Sequence, residues 1–305
     1  MKRFFIVLAS STIMIMSAMA ETTIGISMAL FDDLFLTNVR ESMTTRAKEL
    51  GVKIRFEDAQ GEIARQLSQM QDFIAQKVDA MIINPVDSLA TPKMTRLATD
   101  AGIPLVLVNR PPSEETLPKG VAFVGSDENM PGKLQAEEIA RLLNKKGNVV
   151  IIMGEITTGS AVERTNGVER VLAQYPDMRV VRKQIANWRR NEAMDLMNDW
   201  LISGDKIDAV IANNDEMAIG AIMALRAAGK DPRKTLVAGV DATRQALGEM
   251  QKSNLAVTVF QDAKGQGKTS VDAAAKLAKG EQVDSFIWIP FELVTKENYK
   301  EFLDR

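Results

Sequence analysis

From Thr23 onward the chain alternates between two hydrophobic periods, and this alternation restricts the fold more than any other feature. Short apolar or β-branched runs fall at 23–27, 52–56, 80–83 and 104–108, and again at 149–153, 209–212, 236–240 and 256–260. Amphipathic stretches lie between them. Val39, Met43, Ala47 and Leu50 share one face of a helix expected over 39–50, and further helices are predicted over 63–76 and near 161–175, 190–203, 215–228 and 243–252. Repeated strand–helix units require a parallel sheet, because the helix carries the chain back across the sheet and covers its face. The 305 residues have room for two such sheets.

An internal echo argues that the two sheets are alike. Asp79-Ala80-Met81-Ile82-Ile83-Asn84 leads through a helix to Ala101-Gly102 and then to Leu107-Val108-Asn109. Asp208-Ala209-Val210-Ile211-Ala212-Asn213 leads likewise to Ala228-Gly229 and Gly239-Val240-Asp241. Each half thus repeats a strand–helix–strand unit that ends in a polar residue. Ligands of open α/β sheets sit at the carboxyl ends of strands. Asn84, Asn109, Asn213, Asn214 and Asp241 all fall at such ends, which suggests two half-sites facing each other across a cleft.

Composition then removes most chemistry. There is no cysteine and no histidine, so disulfides, thiolate metal sites, Ser-His-Asp or Cys-His catalysis and His-ligated metals are all excluded. The formal net charge of −2 gives no sign of a nucleic-acid-binding surface. The first twenty residues have the pattern of a secretory leader: Lys2 and Arg3, an apolar run from Phe4 to Met16, then Ala18-Met19-Ala20 at the position of a cleavage site. That apolar run is short for a bilayer span. The expectation is an exported, periplasmic protein with a signal peptide over 1–20, held together by its core alone.

Two other signals lack support. Gly265-Gln266-Gly267-Lys268-Thr269 follows a strand like the end of a phosphate-binding loop, but position 262, where the pattern needs glycine, is Asp. The 17 methionines suggest copper traffic until they are mapped: four lie in the leader, and the rest occupy core-like helix positions and read as packing.

Over nearly the whole chain beyond the leader, the sequence resembles the periplasmic sugar-binding proteins of ABC importers, ribose/galactose type. The residues that carry the likeness are Phe31-Asp32-Asp33-Leu34-Phe35, Ile83-Asn84-Pro85-Val86-Asp87-Ser88, Val108-Asn109-Arg110, Glu163-Arg164 with Gly167, Ala186-Asn187-Trp188, Asn213-Asn214-Asp215-Glu216-Met217-Ala218-Ile219-Gly220, Gly239-Val240-Asp241-Ala242 and Gln261. The resemblance implies two similar doubly wound α/β lobes joined by a three-stranded hinge, with crossings near 127, 261 and 291. The N-terminal lobe would comprise 21–126 plus 262–290, and the C-terminal lobe 127–261 plus 291–305. It implies that Asp33, Phe35, Asn109 and Arg110 form one half of a sugar site, Arg164, Trp188, Asn214 and Asp241 the other half, and that Gln261 stands at the hinge. No metal, cofactor or turnover is implied. The implied partners are one small cyclic polyol or sugar and a membrane permease, with the receptor a monomer that binds no nucleic acid.

Chemistry gives those residues plausible tasks. A cyclic polyol offers hydroxyls around apolar C–H faces, which suits aromatic surfaces from Phe35 and Trp188. Asp33, Asp241, Arg110 and Arg164 can each engage two hydroxyls, and Asn109 and Asn214 donate and accept at once. Bland roles compete: Phe35 as core, Asp33 as a helix cap, Arg164 on a solvated charged face, the asparagines and Gln261 as turn or loop residues. The Asp-Asp-x-Phe element is similar to the glucose/galactose branch, but that branch uses a His and a calcium loop that this chain lacks. The whole looks most like the inositol and rhizopine branch, with a hexose or ribose as the alternative, and Asp33 is the candidate counter-ion for an aminocyclitol. A two-lobe transcriptional regulator would need a helix-turn-helix where the leader stands. An NAD enzyme would need a Gly-x-Gly-x-x-Gly turn where the chain reads Ser27-Met28-Ala29-Leu30-Phe31.

Overall fold

The structure is a computed structural model that describes residues 21–305; the leader expected over residues 1–20 lies outside the described residues. The first half builds β1 (Thr23–Met28), α1 (Leu34–Leu50), β2 (Lys53–Asp58), α2 (Ile63–Ala75), β3 (Ala80–Ile83), α3 (Thr91–Asp100), β4 (Leu105–Asn109) and β5 (Val121–Gly125). The second half builds α4 (Asn129–Leu142), β6 (Gly147–Met153), α5 (Gly159–Leu172), β7 (Met178–Ile185), α6 (Arg190–Ile202), β8 (Ala209–Ala212), α7 (Asp215–Ala227), β9 (Leu236–Ala238), α8 (Arg244–Gln251) and β10 (Val257–Phe260). The chain ends with α9 (Ala263–Ala278), β11 (Phe286–Trp288) and β12 (Glu292–Thr295).

Two six-stranded sheets result. The first runs in the order β11-β5-β4-β3-β1-β2 with all neighbours parallel. The second runs β12-β10-β9-β8-β6-β7 and is parallel except for β12, which pairs antiparallel with β10. β3, β4, β5, β8 and β10 are buried along their whole length, as strands covered on both faces must be. Each sheet accordingly has two apolar layers. In the first, Ile24, Ile26 and Val106 pack with α1 and α9, while Met81, Ile83 and Leu105 pack with α2 and α3. In the second, Val150, Ile152 and Val210 pack with α6 and α7, while Val149, Ile151 and Ile211 pack with α4 and α5. Met28, Met43, Met70, Met81, Met94, Met197, Met217 and Met250 are fully buried in these layers as packing, although Met28 and Met81 lie on strands rather than helices and Met130 and Met223 are exposed.

The topology also positions a site. Strand order reverses between β1 and β3 in one sheet and between β6 and β8 in the other, and such switch points leave a crevice at the carboxyl ends of the strands. The chain passes from one sheet to the other three times: between β5 and α4, between β10 and α9, and between β11 and β12. Those passages hold the two crevices face to face. Across their mouth the sheets' loops touch: the Gly159 amide donates to Ser88 Oγ (3.3 Å), the Ser88 amide donates to the Thr157 carbonyl (3.4 Å), and Arg189 lies 3.9 Å from Asp32.

Candidate functional site

Helices that start at the strand ends bring the polar residues in. Asp33 caps α1, its Oδ1 accepting the Leu36 amide at 2.8 Å. Asn214 caps α7, its Oδ1 accepting the Met217 amide at 3.0 Å. The cap predicted for Asp33 is therefore real, and it is compatible with a site, because a cap uses one oxygen and leaves the other free. Asn109 and Trp188 adopt positive φ (67° and 65°), and Asp241 does so more extremely at 116°. Such conformations cost energy in residues with a Cβ and gather where side chains must be aimed. The Trp188 indole lies on Gly154, where a Cβ would overlap its six-membered ring.

All nine residues expected at the site line one small cavity between the sheets: Asp33, Phe35, Asn109, Arg110, Arg164, Trp188, Asn214, Asp241 and Gln261, joined by Leu36 and Ser160. It is small and partly open to solvent, with a volume of about 40 Å³. A larger groove runs beside it along α1 and the start of α9, but its own lining is mostly surface side chains. The small cavity is where buried polar groups converge.

Their bonds divide them into two groups. Some are fastened to the protein. Arg164 is buried and ion-paired with Glu128 (Nε to Oε2, 2.7 Å), and it also donates to the Asn213 carbonyl (2.8 Å) and to Gln261 Oε1 (3.0 Å). Its fork is therefore taken up by the protein rather than open to two hydroxyls, which corrects the expectation of bidentate grip. Asn109 likewise donates to Gln266 Oε1 (3.1 Å). Asn84 and Asn213 point away from the cavity: Asn84 Oδ1 accepts the Ala29 amide and Asn213 Oδ1 the Gly154 amide, so each pins the loop after the first strand of its half. Of the five strand-end residues, only Asn109, Asn214 and Asp241 reach the cavity.

The others keep bonding capacity. Trp188 Nε1 and Gln261 Nε2 are buried without a partner among the described residues. Arg110 spends Nη1 on the Pro85 and Val86 carbonyls (both 2.9 Å), leaving Nε and Nη2. Asp33 keeps Oδ2, and no protein donor reaches either oxygen of buried Asp241 among the described residues.

Burial controls the charges. It raises the Asp33 carboxyl above its usual range, opposed by the Leu36 amide and by Arg110. Burial lowers Arg110, opposed by Glu155, Asp33 and Asp87. It raises Asp241 well above the usual range, opposed by Arg164 and reinforced by Asp215. Behind Asp241, burial pushes Asp215 up to about 7 although the Thr243 amide and the Thr258 hydroxyl both donate to it (each 2.7 Å). Burial opposes the charge of Arg164 too, but Glu128 more than restores it.

Glu128, Asp215, Ser160 and Gln266 were not assigned a role from the sequence. Asp215 stands inside the Asn213-Asn214-Asp215-Glu216 run that carries part of the family likeness. Glu128 gives no local signal, since Arg164 is distant in the chain, and the Gly265–Thr269 pattern around Gln266 gives no sign of its bonds to Asn109 and Ser126.

Comparison with known proteins agrees with this geometry. A model of the periplasmic binding protein domain matches residues 24–282. This chain belongs to the periplasmic binding protein family. Periplasmic binding proteins of this kind hold solutes rather than transform them. The chain is 53% identical to a candidate rhizopine-binding protein of Rhizobium meliloti, over 99% of both chains. It is 33% identical to the ribose import binding protein of Bacillus subtilis, over 91% of this chain and 88% of that one. Among solved structures, an ABC transporter solute-binding protein of Bacillus halodurans with bound myo-inositol superposes with a TM-score of 0.89 at 43% identity, covering 93% of this chain and 98% of that one. The Caulobacter myo-inositol binding protein bound to myo-inositol gives 0.85 at 28%, covering 92% and 95%.

Proposed function

We propose that this protein is the periplasmic receptor of an ABC importer, delivering a cyclic polyol, an inositol or a rhizopine-like aminocyclitol, to a membrane permease. The observation that carries the reading is the pattern of unsatisfied valence in the cavity. N–H groups of Trp188, Gln261 and Arg110 share the cavity with carboxylate oxygens of Asp33 and Asp241, beside the Phe35 ring. Only a ligand that both donates and accepts around an apolar ring meets that pattern, and vicinal ring hydroxyls do so. Similarity to the two myo-inositol-bound structures and to the Rhizobium meliloti protein supports a cyclitol over a pentose or hexose.

In this reading Asp33, Phe35, Asn109 and Arg110 on the lobe of 21–126 plus 262–290 act with Arg164, Trp188, Asn214, Asp241 and Gln261, the remainder of the site, on or beside the lobe of 127–261 plus 291–305. Residues 1–20 are removed on export, and the mature receptor is a monomer. Binding favours closure because both half-sites reach one ring only when the lobes meet.

The test is a thermal-melt screen of refolded, ligand-free mature protein with myo-inositol, scyllo-inosamine, galactose, glucose, ribose and xylose, confirmed by calorimetry. At about 100 times its dissociation constant a ligand adds about 2.7 kcal/mol, enough to raise the midpoint by several degrees. A cyclitol is expected to give that shift. A shift with glucose, galactose or ribose alone would reassign the ligand, and no shift with any of the six would remove the ligand class.

A further inference from the structure

The charged and amide groups at the cavity are mostly aimed by bonds of their own side chains. Helix caps fix Asp33 and Asn214, two carbonyls fix Arg110, and Glu128 fixes Arg164. Asp241 is different. Its buried carboxyl accepts no protein N–H or O–H among the described residues, so its backbone alone sets where it points. That backbone is strained: Asp241 and Ala242 are consecutive residues with a Cβ at positive φ (116° and 53°). Such a conformation persists only where the surroundings hold it.

Two residues hold it, Asp215 at the start of α7 and Thr258 on β10. The Asp215 amide donates to the Val240 carbonyl (2.8 Å), and Asp215 Oδ2 accepts the Thr243 amide (2.7 Å). Thr258 Oγ1 accepts the Ala242 amide (3.2 Å) and donates to Asp215 Oδ1 (2.7 Å). Peptide groups on both sides of Asp241 are thus tied to Asp215, one of them through the Thr258 hydroxyl. The approach is so close that a Cβ on Gly239 would overlap Asp215 Oδ1. An acidic residue in the first turn of a helix is commonly explained by the helix's own amides. Here both oxygens serve the loop after β9 and Thr258 instead. Neither Asp215 nor Thr258 lines the cavity.

We infer that Asp215 and Thr258 are positioning residues of the binding site: without touching the ligand, they hold residues 240–243 in the conformation that turns the Asp241 carboxyl into the cavity. The inference rests on the reading of Asp241 as a ligand group. Thr258→Val keeps the shape of the side chain but leaves the Ala242 amide without an acceptor and Asp215 Oδ1 without a donor. The segment is then free to relax from its strained φ values and carry the carboxyl off its aim. Thr258→Ser keeps both bonds.

The experiment is titration calorimetry with myo-inositol on wild type, Thr258→Val, Thr258→Ser, Asp241→Ala and the double variant Thr258→Val, Asp241→Ala, at concentrations high enough to read the weakened variants. Thr258→Val is expected to weaken binding about tenfold or more, and Thr258→Ser less than about threefold. A merely structural Thr258 would cost the same affinity with or without the Asp241 carboxyl, whereas a positioning residue costs little once that carboxyl is gone. Asp241→Ala is therefore expected to shrink the effect of Thr258→Val to less than about threefold. Unchanged affinity in Thr258→Val, or the same loss in both backgrounds, would overturn the inference and leave the polyol reading intact. Should Thr258→Val not fold, Asp215→Asn takes its place, since its single oxygen cannot serve both donors as the carboxylate does. Its expected loss is about threefold or more, again removed by Asp241→Ala. Failure of wild type to bind myo-inositol would instead overturn the inositol reading, and the inference with it.

Discussion

A helix cap and a ligand group are commonly treated as rival explanations for one residue, and Asp33 and Asn214 are both at once. Each spends one atom on the first turn of its helix; Asp33 keeps its other oxygen, while Asn214 Nδ2 also donates to the Trp188 carbonyl (3.4 Å), so the bond that fixes the side chain also aims it. This is why bland and functional readings of the sequence could not be separated there. It is also why all nine expected residues meet at one cavity while two of them, Arg164 and Asn109, are tied mainly to protein partners. Residue type and strand-end position were legible; hydrogen-bond partners far along the chain were not. Asp215 leads to a prediction at this scale. Its carboxyl titrates at about 7 in the fold against the usual 3.8, because burial penalises its charge. The folded protein therefore binds that proton more tightly than the unfolded chain. The stability Asp215 contributes is complete below about pH 4, declines as pH rises, and levels off beyond about pH 7. Denaturant unfolding of the ligand-free protein should show Asp215→Asn gaining on wild type between pH 4 and 7; parallel curves would refute the assignment.

Most strands buried on both faces were readable, but β5, buried as fully as β3 and β8, was not. The runs at 80–83 and 209–212 coincide with β3 and β8, which lie inside their sheets. β7, by contrast, is an edge strand that is mostly exposed and rich in Arg and Lys, while β11 and β12 have three and four residues; none carries a pattern that a reading by periodicity can find. α4 was also missed. Its importance is tertiary: it packs so closely on α5 that a Cβ at Gly132 would overlap the Arg164 carbonyl. The Glu128–Arg164 pair sits where these helices meet, at 3% exposure for both residues. Glu128→Gln removes the neutralising charge and leaves a buried guanidinium, a change that typically costs about 3–5 kcal/mol. Asp215 and Asp241 also attract Arg164 and compensate in part, so the expected loss of unfolding free energy is near the lower figure, about 3 kcal/mol. A loss below about 1 kcal/mol would mean that the pair is not what holds α4 against α5.

At the scale of the whole molecule, the question is what distinguishes the closed arrangement from an open one. The three passages between the sheets are covalent and persist in both. The contacts that exist only when the lobes meet are few and lie at the mouth: the Gly159 amide on Ser88 Oγ, the Ser88 amide on the Thr157 carbonyl, and Arg189 near Asp32. One weak hydrogen bond of each kind and an exposed ion pair amount to little net stability. Closure must then draw its free energy from a ligand that touches both half-sites, and a ligand shifts the equilibrium only by its differential affinity for the closed state. The chain offers a direct way to watch this, because it has no cysteine of its own. A Cβ placed on Gly159 would lie 3.6 Å from Ser88 Oγ, near enough for a cysteine pair there to bridge with a small adjustment. The double variant Ser88→Cys, Gly159→Cys should therefore form its disulfide quickly with a saturating cyclitol and at least tenfold more slowly without it, as read by thiol titration over time. The same rate in both conditions would mean that the mouth contacts hold the lobes together unaided, and that the two half-sites do not need a ligand to meet.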